Sequence, residues 1–488
     1  MLFNTYIFVL LFLPLSLAGY YLLNRLNIQV AKAYLLGMSL WYYAYFNLSY
    51  LPIIVLSILI NYGANRVIMK ATSKRLRLAA LVLALLINLG ALFYYKYYDF
   101  FVSNINAVFG TGFLLKKLVI PLGISFFTFQ QLSYVIDSYQ GTVPDYNFLD
   151  YALFVTFFPQ LIAGPIVTHD EIVPQFADTT KKRIIPENFS KGLMAFSFGL
   201  AKKVLLADTF GRVVTWGWGD IAALDSTNAI LVMLAYTFQI YFDFSGYCDM
   251  ASGIGLMFNI EIPMNFNSPY RSVTITEFWK RWHITLTRFF TRYVYIPLGG
   301  NRKGTARTYL NIFIVFLVSG IWHGANWTFW LWGALHGLFS LLTRAAKPVV
   351  SRIPRAIGWL ITFIFVNITW IYFIAPSIGA ANTVIRQIFA FNFGPVNPAV
   401  VEAFMLPEIS ALGRLLAGLG ANLLGAAPWL PMAAFFAFGL FAVLFMKNTN
   451  ERIDSFKPGA GISVASSLLL VASVFSLSEV SVFLYFNF

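Results

Sequence analysis

SGIWHGANWTFWLWGALHG, residues Ser319 to Gly337, places two of the chain's four histidines, His323 and His336, in a stretch apolar enough for a bilayer. An imidazole needs hydrogen-bond partners that lipid tails do not supply, so an ionisable ring at membrane depth is a functional-site hypothesis by default. Gly320 and Gly324 bracket Trp322–His323. They let another backbone or a ligand approach closely, and close helix packing is the alternative reading of the same pair. Trp322, Trp327, Trp330 and Trp332 crowd the same stretch. They either line an acyl tunnel or belong to an aromatic belt at the membrane interface.

Outward from that segment the composition agrees. Of 488 residues, 59% are hydrophobic and 11% charged, where soluble domains carry roughly 25% charged residues. Apolar runs lie near 5–23, 33–47, 49–64, 79–98, 118–137, 149–166, 192–207, 227–258, 307–322, 326–342, 352–375, 428–446 and 461–485. Several are short or broken by Gly and Pro. The expectation is an all-α polytopic membrane protein of about 11 spans, with the remaining runs re-entrant. The net charge of +14 sits between spans, in clusters at 66–77, 181–191, 271–307 and 344–355. That is the positive-inside pattern; it puts those loops in the cytoplasm and argues against nucleic acid as a partner. The first run has no basic residue before it, while Arg25 and Lys32 follow, so it reads as a retained helix with its N-terminus outside. The sole cysteine, Cys248, offers no disulfide.

Between the spans, Glu277 to Tyr293 reads EFWKRWHITLTRFFTRY. Phe278, Trp282, Leu286, Phe289 and Tyr293 recur at three- and four-residue intervals, with basic residues between them. The spacing predicts one basic amphipathic helix at the membrane surface, with His283 at the edge of its apolar face. Loops are expected at 167–191 and, with short helices on the outer side, at 376–427. The chain reads as a single domain, 1–488, comprising N-terminal helices (1–116), a motif-bearing core (117–345) and C-terminal helices (346–488).

Which chemistry the residues permit is narrower. No two of His169, His283, His323 and His336 have metal-ligand spacing, so no metal site is expected. A neutral imidazole, with a pKa of about 6.5, suits removal of a proton from a hydroxyl. Asp243 and Asp249 lie in an apolar run, six residues apart and on different sides of a helix. They predict a polar network or a helix break at Ser245–Gly246 and not a paired-acid site. Lys202 and Lys203 are expected near the cytoplasmic end of a helix. Phosphate-binding loops and nucleophile elbows are missing, which removes ATP-driven and serine-esterase chemistry. A transporter would predict an internal repeat, and the chain has none at a fixed period.

Five blocks in order carry a resemblance: PLGISFFTFQQLSYVIDSYQG (Pro121–Gly141), FFPQLIAGPIV (Phe157–Val167), YFDFSGYCDMASGIG (Tyr241–Gly255), FWKRWHITLTRFFTRYVYIPLGGN (Phe278–Asn301) and GIWHGANWTFWLWGALHG (Gly320–Gly337). Together they resemble the membrane-bound O-acyltransferases, in the bacterial branch of the alginate O-acetyltransferase membrane subunit. Thr168, after AGPIV, and Ile374, in WIYFIA, stand where that family often has arginine. The resemblance implies helices around a central tunnel in a bacterial inner-membrane protein. It implies acyl transfer from a cytoplasmic thioester such as acetyl-CoA, with no permanently bound cofactor, toward a polysaccharide such as alginate, through extracytoplasmic acetyltransferase partner proteins. D-alanyl transfer to teichoic acid, or acetylation of cellulose or peptidoglycan, are the alternatives. The family's invariant histidine falls on His323 and its second motif histidine on His283. His323 is then expected as general base, and His283 as the group that orients the reactant or stabilises the oxyanion. Trp322, Trp282, Asn267, Trp327 and Asp243 are the expected substrate-binding or tunnel residues, and His336 a satisfied packing histidine.

Overall fold

The computed structural model describes residues 1–418, 423–477 and 481–484, and among them the chain is helical throughout. Among the described residues, six helices are long and apolar enough to cross a bilayer. These are α1 (Phe8–Leu26), α3 (Leu48–Lys70), α4 (Lys74–Phe109), α7 (Ser226–Met257), α10 (Gly304–His323) and α12 (Arg355–Ile374). Between them lie α2 (Ile28–Ala44), α5 (Ile124–Gln140), α6 (Pro186–Ala201), α8 (Ile275–Arg281), α9 (Ile284–Phe290) and α11 (Trp327–Ala345), followed by the shorter apolar α13 (Leu430–Phe445) and α14 (Ala460–Phe475). This is a polytopic membrane protein.

Several expected spans are not single crossings. The 118–137 run becomes helical only at Ile124, because Pro121 and a left-handed Gly123 end the preceding coil. The 149–166 run holds two short helices, Phe148–Thr156 and Phe158–Leu161, that bend at Phe157 and are buried in protein. Irregular backbone at membrane depth is tolerated only under such cover. The 376–427 region carries short helices, with 419–422 outside the described residues, as are 478–480 and 485–488.

At the centre stands α7, buried over most of its length, with α6 and α12 against it. α6 lies so close that a Cβ added at Gly199 would stand 2.6 Å from the Gly246 carbonyl oxygen, and one at Gly192 2.5 Å from that of Gly253. Paired small residues let two backbones touch where lipid gives no hydrophobic drive for association. The expected break at Ser245–Gly246 is absent: α7 runs through it without interruption, since Gly246 serves the packing. Asp243 and Asp249 instead answer lysines that the sequence reading placed near a helix end. Lys203 Nζ lies 2.8 Å from Asp243 and Lys202 Nζ 2.6 Å from Asp249, inside the bundle. Leu484 N–H also donates to Asp243 at 2.9 Å, tying residues 481–484 to the central helix. Paired charges of this kind are how a low-dielectric interior holds ions at all.

Candidate functional site

The opening segment is a helical hairpin, its two helices lying where the runs 307–322 and 326–342 were read. α10 stops at His323, Gly324 is extended, and Asn326 Oδ1 accepts from Thr328 N–H to start α11. The glycines are there for packing. A Cβ at Gly320 would sit 2.4 Å from the Phe329 carbonyl oxygen and 3.1 Å from Gly333, and one at Gly324 would enter the Phe329 ring at 2.2 Å. Small residues therefore set how closely α10 and α11 approach, and so where His323 stands.

The predicted amphipathic helix over 277–293 is also corrected. It is two helices, α8 and α9, separated by Trp282–His283, with His283 in the left-handed region at φ 46° and ψ 54°. The cause is a competing backbone partner. Residues 265–267 run beside the break: Asn267 N–H donates to the Arg281 carbonyl (2.9 Å), Ile284 N–H to that of Asn265 (3.0 Å), and Phe266 bridges Trp282. Non-glycine residues held there are strained and cluster at functional sites. His283 is accordingly fully buried and not at an edge. The Asn265 side-chain oxygen accepts from Thr285 N–H (3.2 Å) and Oγ–H (2.9 Å) and lies 3.1 Å from His283 Nδ1. An amide oxygen only accepts, so the proton of neutral His283 resides on Nδ1 and Nε2 is the acceptor nitrogen.

The break brings the two histidines to one place. Trp322 lies between them, its ring centroid 6.2 Å from His283 and 4.9 Å from His323. Trp332 and Phe373 meet the His323 ring at 5.2 and 5.0 Å, and Phe129 stacks on Trp322 at 5.1 Å. The indole N–H groups of Trp322 and Trp332 are buried with no hydrogen-bond partner among the described residues. His336 is a different case. It accepts from the Trp279 indole N–H at 3.2 Å and donates to Thr369 Oγ at 3.0 Å, so both ring nitrogens are engaged.

The other expected residues scatter. Trp282 is buried among Phe266, Phe278 and Trp370. Asn267 accepts from Asn448 at 3.0 Å, away from the histidines. Trp327 is half exposed and donates to Asn104, which fits an interfacial belt; Asp243 belongs to the lysine network. His169 sits in a separate cluster, 3.3 Å from Asp137, which also holds Arg292 and Tyr293. Two residues at the site went unnoticed in the sequence, Asn265 and Lys96. Lys96 is buried, and its Nζ donates to the Trp322 carbonyl at 2.6 Å.

Behind the pair opens a cavity of about 870 Å³. Its inner wall includes Trp279, Leu286, Phe316 and Ser319, and its mouth carries Lys280, Arg344, Lys347 and Arg355. Two basic clusters far apart in sequence thus share one entrance. Trp279 joins this cavity to the histidine layer through its contacts with Trp332 (5.6 Å) and His336.

Comparison with known proteins identifies the family. The family described as MBOAT, membrane-bound O-acyltransferase, matches residues 114–379. The whole chain is 39% identical to a peptidoglycan O-acetyltransferase of Helicobacter pylori, over 98% of that protein. Over 80% of the chain it is 39% identical to a probable alginate O-acetylase of Pseudomonas aeruginosa, covering 75% of that protein. A teichoic acid D-alanyltransferase of Lacticaseibacillus rhamnosus is 28% identical over 46% of the chain and 59% of its own length.

Proposed function

We propose, for a chain that belongs to the membrane-bound O-acyltransferase family and is therefore an acyltransferase, that it moves acetyl groups from a cytoplasmic thioester to an extracytoplasmic glycan. The observation that carries this reading is the meeting of His323 and His283 at one aromatic-walled spot, with a large basic-mouthed cavity whose lining residue Trp279 touches the same aromatic layer. A phosphate-bearing thioester such as acetyl-CoA suits that entrance: the cations at the mouth take the phosphates and the apolar inner wall takes the acyl arm.

In the transfer step His323 removes the acceptor hydroxyl's proton as that oxygen attacks the thioester carbonyl. The new C–O bond forms, the C–S bond breaks as the intermediate collapses, and the proton passes from His323 to the departing sulfur. His283 presents an acceptor nitrogen, which suits orienting the hydroxyl. It does not suit donating to the oxyanion, so that part of the expected role moves to the indole N–H groups of Trp322 and Trp332.

For the acceptor we favour peptidoglycan over alginate, because the likeness to the peptidoglycan enzyme spans the whole chain and that to the alginate enzyme four-fifths of it. Extracytoplasmic partner proteins then place the group on the polymer. The test is the acetyl-ester content of peptidoglycan and of secreted polysaccharide in cells without this protein. Loss from peptidoglycan alone is expected; loss from the polysaccharide alone contradicts this choice. Membranes supplied with labelled acetyl-CoA or with a D-alanyl carrier protein separate the two acyl groups.

A further inference from the structure

We propose that Lys96 is a positioning residue for His323, acting by capping the helix end that carries it. This rests on the reading of His323 as the general base. Lys96 lies in the π-helical turn Phe93–Tyr97 of α4, within a membrane-spanning stretch, and is only 7% exposed. Among the described residues no carboxylate pairs with it. A lysine Nζ without a counter-ion at that depth is costly, so the surroundings must satisfy it in another way. Its partners are the Trp322 carbonyl at 2.6 Å and Ser125 Oγ at 3.1 Å, with the Trp322 ring centroid 5.7 Å away.

The Trp322 carbonyl is one of the last four of α10, which have no partner within the helix. The negative pole of the helix dipole collects at the same end. Tyr97, next in the same turn, donates its hydroxyl to the Ile321 carbonyl at 2.8 Å. Two consecutive residues of α4 therefore take the two carbonyls immediately before His323. π turns are frequent at functional sites because they re-aim neighbouring side chains. A cation is the donor that matches both the orphan carbonyl and the pole. With the end of α10 so held, the extended Gly324 follows, and the His323 ring is fixed between Trp322, Trp332 and Phe373.

The experiment compares Lys96→Met, which keeps length but donates nothing, Lys96→Arg, which keeps the charge, and His323→Gln, with the Lys96→Met/His323→Gln double variant. Each is purified in lipid and assayed with labelled acetyl-CoA per mole of folded protein. The expected result is a fall in kcat of roughly tenfold to a hundredfold for Lys96→Met with the donor KM unchanged, partial recovery in Lys96→Arg, and no further loss in the His323→Gln background. Unchanged kcat in Lys96→Met overturns the proposal. So does a loss fully accounted for by lost folded protein, or an equal fold-loss in both backgrounds, which marks a general structural role. A His323→Gln variant that transfers at the wild-type rate overturns the base reading itself and this proposal with it.

Discussion

At the residue scale the site depends on which nitrogen of each histidine carries its proton. For His283 this is set by Asn265, whose oxygen collects three donors. Asn265→Leu leaves the buried His283 Nδ1–H and the Thr285 donors unsatisfied, at a cost of about 1–3 kcal/mol each. Transfer per folded protein should drop by on the order of tenfold or more, while Asn265→Asp, which keeps an acceptor oxygen, retains more activity. Equal rates for the two variants would sink the assignment. His323 was legible because a histidine in an apolar run is conspicuous. The same rule points at Lys96 inside FYYKYYDF, but a single lysine near the end of a run reads equally well as an interfacial one. Asn265 carried no signal: its importance arises from a backbone pairing between 265–267 and 281–284 that no periodicity announces.

At the scale of elements, long apolar periodicity was reliable and short breaks were not. α7, α10 and α12 lie where hydropathy puts them, because burial of one continuous stretch decides them. The α8–α9 break was read as one continuous helix, whereas the α10–α11 hairpin matches the separate runs read at 307–322 and 326–342. In the first case a non-local strand-like partner outcompetes the helix bonds around His283. In the second the Gly324–Asn326 turn is encoded by three small or capping residues within a tryptophan-rich run. Of the two readings offered for the glycines, close helix packing is the one the structure shows. Gly320→Ala forces its Cβ against the Phe329 carbonyl oxygen, 2.4 Å away, and overpacking of this kind costs about 1–3 kcal/mol. The variant should show a lower thermal midpoint in detergent and reduced transfer together. A normal midpoint would mean the two helices are not held at this distance.

At the scale of the whole molecule, the fold class followed from composition and the family from five ordered blocks, whereas the meeting of two basic clusters at one entrance was not legible. Lys280 lies 64 residues or more from Arg344, Lys347 and Arg355 in sequence, yet all four share one cavity mouth, because α8 packs against α11. Reversing Lys280 and Lys347 to Glu should raise the donor KM by about tenfold at low ionic strength with kcat little changed. Salt should shrink the difference, since exposed charges at a mouth act through a field that is screened over about 10 Å at 0.1 M. A KM insensitive to both the reversals and salt would move donor entry elsewhere.

The central claim is that His323, held at the end of α10 beside Trp322 and His283, is the base for acyl transfer. Its most direct test is the transfer rate from labelled acetyl-CoA in lipid vesicles containing wild-type protein or His323→Ala at matched amounts and matched thermal midpoints. General-base assistance is worth about 10²–10⁴ in rate, so the account predicts a fall of that size with the protein still folded in the membrane. A His323→Ala rate within a few-fold of wild type would contradict it.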